Sequence, residues 1–258
     1  MNLIAPRRLL PPVLGGLVVI AWMSLWLWER SPYGRYLHHG EATLIEICGV
    51  GLSGALQAGA YVAGWTLMTI AMMLPTTLPL LGAFQRLIAA RRDRVLLLAL
   101  VIGGYLLVWL GFGVAAHALD QGLHRGFDRS PWLLSNTWVF GAGPLLLAGA
   151  FQFTRLKYHC LDRCRAPVAF VVQHWRGGGP RAQALRLGAH HGLFCVGCCW
   201  ALMLLMFAVG TGNLGWMLLL GGVMAIEKNA SWGRRFSTPL GVALLAWGAW
   251  VVLSHTLA

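Results

Sequence analysis

Long apolar runs constrain this chain more than any other feature. Hydrophobic residues concentrate in stretches near 12–28, 61–84, 95–118, 133–154, 187–210, 213–227 and 238–255. A helix needs about 20 apolar residues to cross a bilayer, and in lipid only helices and closed barrels satisfy their own backbone hydrogen bonds. We therefore predict an all-α polytopic bundle of about seven transmembrane helices, forming one membrane domain over residues 1–258.

The basic residues predict the orientation of these helices. Of the 20 lysines and arginines, 16 lie in one alternating set of loops and 4 in the other. Basic residues accumulate in the cytoplasmic loops of membrane proteins. The bias predicts a cytoplasmic amino terminus, a basic cytoplasmic loop near 155–186 and an external carboxyl terminus, in a multi-pass protein of the bacterial inner membrane. It also explains the net charge of +12 without a nucleic-acid partner.

One segment, 31–60, does not fit the pattern of a transmembrane helix. It mixes polar residues, including His38, His39 and Cys48, with a glycine-rich apolar run. We expect it to lie along the outer interface or to form a re-entrant helix.

Five of the six cysteines fall in two short motifs. Cys160 and Cys164 lie one helical turn apart in the basic loop, where cytosolic thiols stay reduced and available for a metal. Cys195, Cys198 and Cys199 lie in the fifth predicted helix, where Cys195 and Cys199 share a face and Cys198 lies about 60° from Cys195. Thiolates bind soft metal ions, although a buried cysteine is also a common small hydrophobic residue.

Methionines accompany these cysteines in the apolar segments. Met68 and Met72 share one helix face, Met73 follows directly, and Met203 lies one turn after Cys199. Thioethers are soft ligands suited to Cu(I), while methionine also fills gaps in apolar cores. With a rise of about 1.5 Å per residue, Met72 and Met73, the cysteines of the fifth helix and Met217 of the sixth lie at similar depths. We expect them to reach one layer of the bundle.

Four polar residues near these motifs are accessory candidates. Glu227 and Lys228 are adjacent at the end of the sixth predicted helix, where they form an interfacial ion pair or a group that admits a cation. Lys157 precedes Cys160, and His191 is either a polar boundary residue or a ligand. Zinc with cysteine and histidine ligands therefore stays open beside copper.

The motifs, taken together, resemble the domain of unknown function 2182 family of predicted metal-binding integral membrane proteins. The resemblance covers about residues 61–229 and rests on Trp-x-x-Met-x-x-Ala-Met-Met-x-Pro, Lys-x-x-Cys-Leu-x-x-Cys-Arg-x-Pro, Cys-Val-Gly-Cys-Cys-Trp and Glu-Lys, in that order. It implies metal binding and supplies no substrate or reaction. The matching residues are Met68, Met72, Met73, Lys157, Cys160, Cys164, Cys195, Cys198, Cys199, Met203, Glu227 and Lys228.

Three functions fit this sequence. The first is binding of a soft transition metal, chiefly Cu(I), for transport, buffering or delivery to a membrane partner or a metal donor or acceptor protein. The second is a non-catalytic membrane subunit or assembly factor whose cysteines and methionines are packing residues. The third is a thiol–disulfide membrane redox protein. It is disfavoured because oxidative folding needs thiols on the outer side of the membrane, where only Cys48 is predicted. Nucleotide loops, catalytic triads and haem-attachment motifs do not occur, which favours a non-enzymatic function over an enzyme.

Overall fold

The structure, a computed structural model, describes residues 10–30, 54–128, 131–136, 138–176, 178–209 and 213–256. All regular elements in these ranges are helical. Residues 31–53, with His38, His39 and Cys48, lie outside the described residues, and 54–60 begin the second helix. The α-helices are α1 (Leu10–Glu29), α2 (Gly54–Met72), α3 (Leu78–Leu87), α4 (Arg94–Asp128), α5 (Pro131–Ser135), α6 (Trp138–Phe151), α7 (Arg155–Arg165), α8 (Pro167–His174), α9 (Pro180–Val209), α10 (Leu214–Asn229) and α11 (Gly233–Thr256).

Four of these helices, α1, α4, α9 and α11, are long and apolar enough to cross a membrane. Two further spans meet the same standard only as bent pairs: Tyr61–Met72 with Pro75–Leu87, bent by 45°, and Trp138–Phe151 with Arg155–Arg165, bent by 66°. Helix α10 has 16 residues, fewer than a membrane crossing needs. The helical bundle is therefore confirmed with four to six candidate spans, while the count of seven and the orientation stay predictions.

The bend after α2 coincides with two prolines, Pro75 and Pro79. Pro75 opens a short 3-10 helix, Pro75–Thr77, because proline cannot donate a backbone hydrogen bond. Two threonine hydroxyls add to the backbone hydrogen bonds at the break: Thr76 Oγ1 donates to Met73 O and Thr77 Oγ1 donates to Leu74 O, both at 2.7 Å. The break ends α2 inside the bundle and leaves Met73 at that end.

Helix α9 is the centre of the fold. It packs against α4, α6, α7, α8 and α10. Its closest approach is to α4, where a Cβ on Gly188 would overlap the carbonyl oxygen of Val101. Small residues permit such close backbone packing between apolar helices, so α4 forms one wall of the core that surrounds α9.

The region predicted as a basic loop, 155–186, is folded. It forms α7, α8 and the start of α9, and the side chain of Thr154 caps α7 by accepting a hydrogen bond from Lys157 N. Lys157 and Lys228 are only 0% and 6% exposed. Neither lysine lies in an exposed loop. Counting lysines and arginines along the sequence therefore overstates the difference in basic residues between the two sets of loops.

Candidate metal site

Helix α7 lies against α9 and brings the two cysteine motifs together. A Cβ built on Gly197 would lie 2.6 Å from Cys160 Sγ, so the missing side chain makes room for this thiol. The Cys164 thiol lies near Cys198 and interacts with it electrostatically. All five described cysteines are free thiols, and Cys164 is the one among them that is not buried. Sequence reasoning found both motifs but not their convergence.

The thiols of α9 are turned toward their own helix backbone. Cys198 Sγ and Cys199 Sγ both donate to the carbonyl oxygen of Cys195, at 3.1 and 2.9 Å. Within the described part of the chain, no group of three or more His, Cys, Asp or Glu side chains is arranged to hold a metal ion. Rotation about χ1 between staggered rotamers redirects a thiol away from the backbone. A shared metal site among these cysteines therefore requires side-chain rotation.

A buried ammonium group lies among the sulfur atoms. Lys228 Nζ is 2.8 Å from Cys195 Sγ, 3.8 Å from Cys199 Sγ and 3.9 Å from Met73 Sδ. It also lies 3.5 Å from Thr76 Oγ1. A buried charge is costly unless it is paired or hydrogen-bonded. Within the described residues, the sulfur atoms and this hydroxyl are the partners of the Lys228 ammonium.

Tyr105 of α4 is a site residue that sequence reasoning missed. Its hydroxyl lies 3.0 Å from Cys195 Sγ and 3.4 Å from the carbonyl oxygen of Met73. A tyrosine hydroxyl buried in an apolar core usually has a polar partner. A tyrosine in the middle of an apolar helix was therefore a usable signal.

The four predicted methionines are all buried. Met68, Met72, Met73 and Met203 belong to the same core cluster as the cysteines. Among these four, Met73 contacts the charged centre, with its Sδ 3.9 Å from Lys228 Nζ. The expected common layer is thus seen for Met73 and the α9 cysteines that Lys228 also contacts.

Glu227 does not pair with Lys228. Both its carboxylate oxygens lie 2.8 Å from Lys157 Nζ, and Ser237 Oγ donates to Oε1 at 2.7 Å. Adjacent residues on a helix point about 100° apart, so Glu227 faces α7 and α11 while Lys228 faces the cysteines. Arg165 adds a hydrogen bond to the Glu227 carbonyl oxygen at 2.6 Å. These contacts hold α7, and with it the first cysteine motif, against α10.

His191 is buried rather than at a polar boundary. Its ring stacks on Tyr105 with centroids 5.9 Å apart and meets Phe170 edge-on at 5.5 Å. Its Nδ1 has no hydrogen-bond partner in the ranges that the structure describes. His191 lies one turn before Cys195 on the same face of α9, and its ring packs against Tyr105, whose hydroxyl lies 3.0 Å from Cys195 Sγ.

The fold and the site define a helical protein with the apolar helices of a membrane protein and a thiol-rich core. The chain belongs to a copper chaperone family, because the family model described as "PpoB2: Copper chaperone" matches residues 62–251. This range contains every residue of the site. It confirms the link to copper, although the name domain of unknown function 2182 is not the one that this match carries. Comparisons with curated proteins and with solved structures gave no match.

Proposed function

We propose that this chain is a multi-pass carrier of the bacterial inner membrane that binds Cu(I) through cysteine and methionine side chains and delivers it to a partner protein. The observation that carries the proposal is the convergence of Cys160 and Cys164 with Cys195, Cys198 and Cys199 inside a bundle of apolar helices. Membership of a copper chaperone family supports copper as the ion.

The chemistry of the site suits Cu(I). Thiolates and thioethers are the soft ligands that select this ion. Two thiols that bind Cu(I) release two protons and form a complex with a net charge of −1. The ammonium of Lys228, 2.8 Å from Cys195 Sγ, balances that charge. A neutral assembly is the form of a metal site that an apolar core tolerates at least cost.

The burial of the thiols suggests an order of transfer. Cys164 is partly exposed and lies beside the buried Cys198. A donor protein reaches Cys164 first, and the ion then moves through Cys198 toward Cys195 and Cys199. Each step exchanges one thiolate ligand for a neighbouring one, so the ion is never free.

The contact between Cys164 and Cys198 also fits the redox alternative. Oxidation of these two thiols to a disulfide would pass two electrons and two protons to an acceptor such as a quinone. The family match favours copper over this reaction, and the experiment below separates the two.

The test is the metal content of the full chain, purified anaerobically in detergent, loaded with Cu(I) and analysed by mass spectrometry. We expect about one tightly held copper per chain in the wild type and in the control Cys48→Ser. The triple variant Cys195→Ser/Cys198→Ser/Cys199→Ser should lose it. Absence of stoichiometric metal in the loaded wild type would reject the proposal and favour an assembly subunit. Zinc in its place would reassign the ion, and a reversible Cys164–Cys198 disulfide without metal would favour the redox protein.

A further inference from the structure

Methionines are concentrated in the core of this protein. Seven of the nine are 0–3% exposed and share one core cluster with the cysteines. Four of them were candidate ligands from the sequence, and Met217 was expected at the depth of the cysteines. The seven are Met68, Met72, Met73, Met203, Met206, Met217 and Met224.

Helix α10 carries a row of these side chains away from the cysteines. Lys228, Met224, Gly221 and Met217 are spaced by four, three and four residues, which places them on one helix face. Lys228 contacts Cys195 at one end of this row. Met217 lies about 16 Å farther along the helix axis. The α10 face thus extends from the thiols along the bundle.

Helix α2 runs beside this face in the same direction. Just beyond its end, Met73 Sδ lies 3.9 Å from Lys228 Nζ. Farther along, a Cβ on Gly221 would lie 3.6 Å from the Cβ and Cγ of Met72. The amino-terminal direction of α2 is therefore also the amino-terminal direction of α10 along this face.

The next turn of each helix places two methionines at one level. Met68 lies one turn beyond Met72 on the same face of α2, and Met217 lies one turn beyond Gly221 on α10. The Met72–Gly221 contact sets the register between the two helices. We therefore expect Met68 and Met217 to lie at one level, one turn past that contact, and both are buried.

Helix α9 contributes a third methionine, Met206, toward the same end of the bundle. Cys199 Sγ lies 3.8 Å from Lys228 Nζ, and Met206 follows seven residues later on the same face, about 10 Å farther along α9. Helix α9 ends at Val209 and α10 begins at Leu214, so the two helices run antiparallel. Met206 therefore lies toward the same end of the bundle as the α2 and α10 methionines.

We propose that Met68, Met206 and Met217 form a second Cu(I) site, built of three thioethers and separate from the thiols. It deepens the proposed function, on which it rests for the identity of the ion. Thioethers are neutral, so binding here releases no proton and leaves the charge of the ion uncompensated in an apolar core. This site binds Cu(I) more weakly than the cysteines, and it offers the ion a position on the side of them away from the α2 break.

The test is anaerobic titration of the full detergent-solubilised chain with Cu(I) against a competing chelator, with X-ray absorption to identify the sulfur ligands. The wild type should bind a second, weaker Cu(I) with thioether coordination. Met68→Leu/Met206→Leu/Met217→Leu, which conserves side-chain volume and apolarity, should lose only this second ion. The control Met23→Leu, at a methionine of α1 that is 56% exposed, should keep both.

The single variant Met217→Leu provides the same test if the triple variant does not fold, and its second site should weaken by at least about tenfold. A wild type with one Cu(I) alone, or a Met217→Leu variant with an unchanged second site, would overturn the inference. The Cys195→Ser/Cys198→Ser/Cys199→Ser variant separates the two proposals, because it removes the proposed cysteine site and keeps the three methionines. A second site without any tight site in the wild type would reject the cysteine site and leave the thioether site standing.

Discussion

Lys228 Nζ lies 2.8 Å from Cys195 Sγ in the core of the bundle. Lys228 is in the last turn of α10, where the helix dipole favours a cation. The short helix ends at the level of the cysteines, which is why its terminal lysine meets them instead of solvent. The proposed copper site therefore contains a fixed counter-charge from the protein itself.

The first prediction concerns this charge. Lys228→Leu keeps an apolar side chain but removes the ammonium and adds no metal ligand. A charge-assisted hydrogen bond is worth about 1.5–3 kcal/mol, so we expect the affinity for Cu(I) to fall by about 10- to 100-fold. The measurement is Cu(I) competition with a chelator, with Arg86→Leu as the control at an exposed residue of α3. Equal affinities in Lys228→Leu and the wild type would show that the ammonium does not support the ion.

The second prediction concerns the buried ion pair between Lys157 and Glu227. Removal of one partner leaves the other charge buried, which typically costs about 3–5 kcal/mol. We expect Lys157→Met to lower the free energy of unfolding by this amount, measured by denaturation in detergent. The double variant Lys157→Met/Glu227→Met should recover part of the loss, since it leaves no unpaired charge.

The matched control for that pair is the exposed ion pair between Arg234 and Asp162, 3.2 Å apart with side chains 56% and 46% exposed. Exposed pairs contribute about 0–1 kcal/mol, so Asp162→Asn should change the free energy of unfolding little. Similar losses in Lys157→Met and Asp162→Asn would contradict the importance of burial here.

The third prediction concerns the space that Gly197 leaves for Cys160. In Gly197→Ala the new Cβ would lie 2.6 Å from Cys160 Sγ, and such overpacking costs about 1–3 kcal/mol. We expect a loss of this size in the free energy of unfolding, together with reduced copper retention. Cys160→Ala in the same chain should restore the stability because it removes the overlapping sulfur.

Gly222→Ala is the control, because a Cβ there meets nothing within 4 Å. It should leave the stability unchanged or raise it by up to about 1 kcal/mol, as alanine favours a helix over glycine. A loss of stability in Gly222→Ala equal to that in Gly197→Ala would show that the effect is not specific to Cys160.

The fourth prediction concerns the order in which the thiols react. Cys164 is partly exposed, whereas Cys160, Cys195, Cys198 and Cys199 are buried. Brief treatment of the folded metal-free protein with a maleimide should modify Cys164 first among these five, and prior loading with Cu(I) should protect it. Peptide mass spectrometry reads each site. Faster modification of Cys198 than of Cys164 would contradict the proposed route of the ion.

The positions of the apolar helices were predictable from the sequence because hydropathy is a local property. The predicted segments 12–28 and 187–210 lie within α1 and α9 or one residue beyond. The segment 61–84 was predicted as one helix, whereas Pro75 divides it into a bent pair. Proline inside an apolar run signals a kink, but the size of a bend depends on the neighbouring helices that accept the displaced turn.

The candidate site was predicted as separate motifs. Sequence reasoning selected both cysteine motifs from ligand chemistry, which depends only on residue type and spacing. It did not identify Tyr105, and it treated Lys157 as a charge of a cytoplasmic loop. Both errors have one cause: the partners of Tyr105 and Lys157 are on other helices, 90 and 70 residues away along the chain.

The sequence by itself therefore determined the helical class, the soft side chains that are proposed as ligands and the two motifs that carry the cysteines. The tertiary structure alone decided that Cys160 meets Gly197 on α9, that Lys228 meets Cys195 and that Glu227 meets Lys157. The physical reason is range. Hydrophobic burial and helix periodicity act along one segment, whereas the choice of neighbouring helix depends on close packing between segments distant in the chain.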